Sequence, residues 1–315
     1  MTVQPKLLCV SLNPAIDRRI TLANFRLGEV NRAHRVEPAA GGKAAHVAYA
    51  GAALGADVRW MAFVGGPDGE SCRAGVERAG ICPILVKIAG QTRTNLELID
   101  ELSGQITEVL ERGPEILESE KQAFLRQFES ELADHPTVIL SGSLPAGLPV
   151  SFYATLVKAA KHAGCSVFLD ASGEALAQAL ISRPDLIKPN LQEASALLGA
   201  PVNPLEAATA LQKHGPKTVV LSLGAEGAVM VAESLVLRGF APVVKAISTV
   251  GSGDSFLAGW AFAAAEGRDF AGCLRLAIAC GTANCLAKCP GMIEKEVVQT
   301  LFSQVKIEQI RTKSV

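Results

Sequence analysis

The 315-residue sequence lacks an excess of charge of either sign: 30 Lys and Arg stand against 31 Asp and Glu, a formal net charge of −1. That balance argues against a nucleic-acid binder, which needs a basic stripe, and no acidic tail is present. Long apolar runs are also missing. The longest, Phe256 to Ala265, cannot span a bilayer, and the run from Leu7 to Leu12 is too short for a secretory signal. A soluble, cytoplasmic protein with no membrane partner is expected. The eight cysteines form no Cys-x-x-Cys pair, which argues against zinc or dithiol chemistry. Cys280, Cys285 and Cys289 read as reduced thiols packed among alanines on a helix. No internal repeat and no low-complexity segment is present. Two nucleotide motifs fail as well. Gly251-Ser252-Gly253 is followed by Asp254, Ser255 and Phe256, so the third glycine of the dinucleotide fingerprint is absent. Gly42-Lys43 is followed by Ala44, which leaves no hydroxyl for magnesium and rules out a P-loop.

What the chain does have is apolar bulk, 49% hydrophobic against 19% charged, enough for one large domain or two modest ones. From residue 137 onward, short apolar runs alternate with helical spacing. Thr137–Ser141, Cys165–Asp170, Asp185–Lys188 and Lys217–Ser222 read as strands. Helices are predicted over Ser151–Ala163, with Ser151 as N-cap, and over Gly173–Ile181, Leu191–Leu198 and Pro204–His214. Leu7–Leu12 and Val58–Val64 read as strands of the same sheet, joined by a helix over Ala44–Leu54. This pattern predicts a three-layer α/β/α, doubly wound, mostly parallel sheet. Such sheets bind ligands beyond the carboxyl ends of their strands. Shorter, more polar segments at Arg18–Ala23, Ala33–Glu37, Ile84–Ile88, Thr94–Asp100 and Gln105–Leu110 lack intervening helices. They read as a small, mostly antiparallel sheet inserted in two pieces, a lid over residues 15–38 and 84–110. The main domain then comprises 1–14, 39–83 and 111–315.

One stretch, TVGSGDSFLAGWAFAAA, places an acid behind two glycines at the mouth of an almost uncharged helix. Glycines allow close backbone approach, and a helix start presents unpaired N–H groups and the positive end of its dipole. Gly251, Ser252 and Gly253 can therefore hold developing negative charge, with Asp254 placed to accept a proton from an attacking hydroxyl. The plainer alternative is that Asp254 only caps the helix. Asn190 and Glu193 could hold a hydrated Mg²⁺ and nucleotide phosphates, or could be a turn amide and a surface acid. The loop from Ser222 through Gly224 to Gly227 suits phosphates or an adenine, but equally an ordinary hairpin. Asp17 follows the first strand. Gly41, Gly42 and Lys43 could face a sugar, and Arg93 could clamp a phosphate through two donors.

Taken together, these residues resemble the ribokinase-like sugar kinases, most closely the phosphofructokinase B branch with its 1-phosphofructokinases and tagatose-6-phosphate kinases. The resemblance runs through LNPAID, GEVNR, GGKAAHVA, TRTN, SGSLPAGLP, DASGEAL, IKPN with Glu193, LSLGAEGA and TVGSGDS, in family order. It implies ATP-dependent phosphoryl transfer to a sugar hydroxymethyl, a β-sheet lid used for homodimer formation, Mg²⁺, and room for a monovalent cation near residues 249–254. By the same resemblance Asp254 is the base and residues 251–253 the anion hole. Asp17, Gly41, Gly42, Lys43, His46, Asn95 and Ser141 fall on the sugar side, with Arg93 on the substrate's own phosphate. Asn190, Glu193, Ser222, Gly224, Gly227 and Thr249 fall on the ATP–Mg²⁺ side, Glu193 reaching the metal through water. Four positions depart from or qualify the pattern. Ser252 replaces an alanine, Ala44 a glycine, His46 an asparagine expected on the sugar, and Arg112 a proline. Glu108 follows the 1-phosphofructokinase and tagatose type. The expected substrates, in order, are fructose 1-phosphate, tagatose 6-phosphate and fructose 6-phosphate, with a kinase of an unphosphorylated sugar or a non-catalytic sugar-phosphate sensor as remoter alternatives.

Overall fold

The computed structural model describes residues 4–233 and 235–310. The chain opens with β1 (Lys6–Ser11), then leaves the main body for β2 (Ala15–Leu22) and β3 (Arg35–Gly41). It returns through α1 (Lys43–Leu54) to β4 (Asp57–Val64), α2 (Gly66–Arg78) and β5 (Cys82–Lys87). A second excursion adds β6 (Arg93–Asp100) and β7 (Ile106–Leu110). Next come α3 (Glu118–Glu131), β8 (Thr137–Ser141), α4 (Phe152–His162), β9 (Ser166–Asp170), α5 (Gly173–Leu180) and β10 (Leu186–Ile187). The path continues with α6 (Leu191–Leu198), α7 (Pro204–Gln212), β11 (Thr218–Ser222), β12 (Ala228–Ala232) and β13 (Leu235–Phe240). It closes with α8 (Ser252–Ala265), α9 (Phe270–Leu286), α10 (Lys295–Phe302) and β14 (Lys306–Gln309).

Ten strands form the large sheet, in the order β14-β13-β12-β11-β10-β9-β8-β1-β4-β5. It is parallel from β5 to β11 and antiparallel from there to β14. Alternation along β1 shows why both faces need covering. Leu7 and Cys9 enter one core with Val47, Trp60, Leu257 and Leu274, while Leu8 and Val10 enter another with Phe63, Phe124, Phe152 and Tyr153. The three-layer doubly wound architecture expected from the sequence is the one observed. The small sheet has the order β3-β2-β6-β7, antiparallel except for the parallel central pair β2 and β6.

Several local expectations need correction. The segment expected at Ile84–Ile88 in the small sheet is β5, which pairs parallel with β4 at the edge of the large sheet. Its misleading polarity is that of an edge strand. A helix does intervene before it: α2 buries only Gly69, Cys72 and Val76, too thin a stripe to stand out. The strand expected at Ala33–Glu37 runs instead over Arg35–Gly41 and so delivers Gly41 and Gly42 directly to α1. Ser151 is the N-cap residue of α4 as expected, although its side chain makes no capping hydrogen bond.

Candidate active site

Five adjacent parallel strands end at one place. Ser11, Ser141, Asp170 and Ser222 are the last residues of β1, β8, β9 and β11, and Lys188 follows β10; all five line a single cavity of about 680 Å³. This is the crevice that a doubly wound sheet creates at its carboxyl edge. Asp170 lies at its floor, 1% exposed, with Lys43 Nζ and Lys188 Nζ each 3.5 Å from its Oδ2. Burial alone would raise the Asp170 carboxyl, but Lys188 and Lys43 hold it below its ordinary value. Lys43 is raised in turn by Asp170, against burial and with help from Asp254 and Glu193.

The turn before α8 carries the second set of groups. Gly251 sits at φ 77, and a Cβ there would lie 2.6 Å from Pro290 Cβ, so only glycine fits. Ser252 pins the turn, its N–H (3.2 Å) and hydroxyl (2.6 Å) both donating to the Thr249 carbonyl. The Ser252 N–H is therefore spent on the turn itself. Within residues 251–254 of the turn, the N–H groups of Gly251, Gly253 and Asp254 have no hydrogen-bond partner, so Ser252 drops out of the expected set of anion donors. Lys188 Nζ would lie 3.1 Å from a Cβ on Gly253, so an ammonium group faces the turn. Asn284, 1% exposed, holds the turn from behind: its Nδ2 donates to Val250 O (2.7 Å), and its Oδ1 accepts from Ser255 Oγ and Gly291 N. Asp254 is not the N-cap, a position held by Gly251. Its side chain is buried and meets His46.

The small sheet supplies the opposing wall with polar side chains turned inward. Asp17 on β2 pairs with Asn95 on β6 in register, and Asn95 Nδ2 donates to Asp17 Oδ1 at 2.8 Å. The next inward pair, Arg19 and Glu97, forms a buried ion pair at 3.0 Å. Arg19 also donates to the Lys288 carbonyl, tying the sheet to the segment after α9. Asp17 Oδ2 accepts from Gly42 N (3.3 Å) and from His46 Nε2 (3.1 Å). Burial opposes the Asp17 charge, but His46, Asn95 and Gly42 hold its carboxyl below the ordinary range.

Most residues expected at the site meet in this cavity. Asp17, Gly42, Lys43, His46, Arg93, Asn95, Ser141, Asn190, Glu193, Ser222, Gly224 and Thr249 line it together with residues 251–254. Gly41 does not; it lies against Asp17, whose Oδ2 would be 1.9 Å from a Cβ. Gly227 lines an adjoining, mainly apolar cavity of about 280 Å³ with Val244, Phe256, Ile278 and Cys285. Lys43 Nζ lies 3.5 Å from Asp170 Oδ2 at the wall of this cavity. Arg93 donates three hydrogen bonds to the carbonyls of Asn13 and Glu111, which leaves two of its five N–H groups. Arg112 does not line the main cavity, whereas Glu108 does. Asn190 and Glu193 form a reciprocal capping box at the start of α6, with bonds of 2.8 and 2.9 Å. The sequence alone does not mark Lys188, Asp170 or Asn284 as site residues. Lys188 stands in the quoted IKPN, but neither periodicity nor spacing shows that its ammonium reaches a turn more than sixty residues away.

A doubly wound sheet with a small sheet over its carboxyl edge and a glycine-bearing helix start at its floor is the architecture of the ribokinase-like kinases. Residues 5–295 match the model of the pfkB family carbohydrate kinases, and the chain belongs to that family, phosphotransferases with an alcohol acceptor. It is 33% identical over 311 residues to tagatose-6-phosphate kinase of Staphylococcus epidermidis, covering 96% of this chain and 100% of the relative. Among solved structures, phosphofructokinase-2 of Escherichia coli in complex with potassium superposes with a TM-score of 0.88 at 28% identity, covering 96% of this chain and 99% of that one. A possible 1-phosphofructokinase of Thermotoga maritima does so with a TM-score of 0.88 at 25% identity, covering 97% and 99%. No described helix is long and apolar enough to cross a membrane.

Proposed function

We propose that this kinase transfers the γ-phosphoryl group of ATP to a hydroxymethyl of a ketohexose phosphate, with fructose 1-phosphate as the first substrate to test. The observation that carries the reading is the meeting of four features in one cavity: the Asp254 carboxylate, the unpaired N–H groups of the turn, the two lysines at Asp170, and Arg93 with donors to spare. A neutral sugar would leave the Arg93 guanidinium without a charged partner. Tagatose 6-phosphate is the second reading, favoured by the full-length similarity to a kinase named for that sugar. Both sugars present a phosphate at one end and a hydroxymethyl at the other.

In the proposed reaction the acceptor hydroxyl gives its proton to Asp254. Its oxygen forms a bond to the γ-phosphorus while the bond from that phosphorus to the β–γ bridging oxygen breaks, and ADP leaves with the electron pair. Gly251 and Gly253 N–H groups and the Lys188 ammonium face the charge on the transferring group. Positioning and electrostatics supply most of the acceleration in phosphoryl transfer. The apolar cavity beside Gly227 suits the adenine. A bound magnesium ion would neutralise charge between the β- and γ-phosphates. The residues fit such an ion only through water: the capping box occupies one Glu193 oxygen, and the described residues hold no cluster of three metal-ligating side chains. Near the turn the Thr249 carbonyl accepts two hydrogen bonds from Ser252 and the Val250 carbonyl one from Asn284, and no step is routed through a monovalent cation. The reading also makes the enzyme cytoplasmic, and a homodimer through the small sheet, where Leu27, Val30, Val36, Leu102, Val109 and Leu110 are exposed.

The test is ADP release with ATP and Mg²⁺ across free and phosphorylated sugars. Turnover should be greatest with a ketohexose phosphate. Higher kcat/KM for an unphosphorylated sugar, or no turnover on the panel, would sink the reading.

A further inference from the structure

His46 stands where the sequence pattern expects an asparagine, and its ring is held between two acids from distant parts of the chain. Nδ1 lies 2.9 Å from Asp254 Oδ2 and Nε2 3.1 Å from Asp17 Oδ2. All three side chains are buried, with relative exposures of 6%, 6% and 7% for His46, Asp254 and Asp17. An ionised carboxylate only accepts hydrogen bonds, and either neutral tautomer of imidazole would aim a lone pair at one of the two acids. The doubly protonated ring satisfies both. We propose that His46 is an imidazolium throughout the working pH range, a positioning residue that holds the Asp254 carboxylate through a charge-assisted hydrogen bond and ties it to Asp17. The catalytic part of this inference rests on Asp254 being the base.

The surroundings agree with the geometry. Burial works against charge on the ring, but hydrogen bonds to Asp17 and Asp254 outweigh it and raise the group to about 10. Other charges face the trio from every side. Lys43 on the same helix interacts with Asp254, Lys188 faces the neighbouring turn, and Arg93 on β6 acts on Asp17. Glu97 acts on His46 but is paired with Arg19, and Asp170 is paired with both lysines. Tyr49 and Cys72, near Asp17, are held neutral by burial.

The arrangement divides the Asp254 carboxylate into two functions. Oδ2 is committed to His46, while Oδ1 has no hydrogen bond to any described residue, and Asp254 lines the cavity. The ring thus fixes which oxygen receives the proton. An amide in its place carries no charge, and its carbonyl cannot donate. Two buried carboxylates would then face each other with no cation between them.

The experiment compares kcat against pH for wild type, His46→Asn and His46→Gln with saturating substrates, and records long-range proton–nitrogen NMR spectra of the wild-type imidazole. The acid limb should move up in the variants, since they remove a cation from beside a carboxylate. At pH 9 the variants should return to within a few-fold of wild type. Both ring nitrogens of His46 should carry protons from pH 6 to 9. A uniform loss at all pH values, an unmoved acid limb in a folded variant, or a singly protonated ring overturns the inference. Asp254→Asn separates the two readings. Turnover above about a tenth of wild type would remove the base and the catalytic inference together, whereas its abolition with an unmoved acid limb would remove only the inference about His46.

Discussion

The two walls of the cavity are built from opposite materials. The large sheet and α8 contribute backbone N–H groups, two lysines and a helix start, all suited to anions. The small sheet contributes Asp17, Asn95 and Glu97, acceptors suited to hydroxyl groups, with Arg19 neutralising the innermost acid. One cavity is thus divided by charge, and His46 spans the division with a bond to each half. In the proposed reading, then, most anion-facing groups stand on one wall and most hydroxyl acceptors on the other, with Arg93 on the small sheet and Asp254 on α8 as the two groups that cross the division.

The sharpest way to break this comparison is at the acid on the large-sheet side. Asp254→Asn should lower kcat by about 10²–10⁴-fold, the usual contribution of a general base, with ATP binding largely intact by calorimetry. Retention of more than about a tenth of kcat, a change of about 1.4 kcal/mol in the barrier, would exclude Asp254 as the base. Next in size is Lys188→Met. Hydrogen bonds to charged groups are worth about 1.5–3 kcal/mol, so kcat should drop by roughly tenfold to a hundredfold while the KM for sugar phosphate holds steady. A rise in sugar KM instead would place Lys188 on the wrong wall. Arg93→Ala should raise the KM for sugar phosphate about tenfold and leave that for ATP nearly unchanged. Equal effects on both would dissolve the division, and no effect would make Arg93 only a brace for the carbonyls it already meets.

The smallest effect concerns stability. The His46 ring is raised from an ordinary value of 6.5 to about 10, so its charge contributes stability that is complete below 6.5 and is lost as pH climbs through 10. The Tm advantage of wild type over His46→Asn should therefore shrink between pH 7 and pH 10.5. A constant difference over that range would mean the ring is not the titrating group.

Much of this was legible in the sequence, for reasons that differ by region. Strands such as TVILS and TVVLS announce a doubly covered parallel sheet because they are apolar on both faces. The edge strand β5 (CPILVK) is half-exposed and reads like its neighbours in the small sheet, and α2 and α3 each bury too few apolar side chains to show helical periodicity clearly. At the site, the GSGD turn and the order of the motifs marked the cavity. What stayed hidden depends on tertiary approach. His46 reads as a variant sugar contact until Asp254, 208 residues away, is seen on its other nitrogen. The Ser252 N–H reads as an anion donor until Thr249 is seen to take it.

The small sheet leaves and rejoins the large domain through four crossings of the backbone: after β1, after β3, before β6 and after β7. Arg93 sits at the third crossing and binds the carbonyl of Asn13 at the first and of Glu111 at the fourth. Mechanically it is the pin of a linkage. One guanidinium thus couples three of the four crossings, so an Arg93→Ala change that abolished these bonds would loosen the attachment of the whole small sheet and not a single strand.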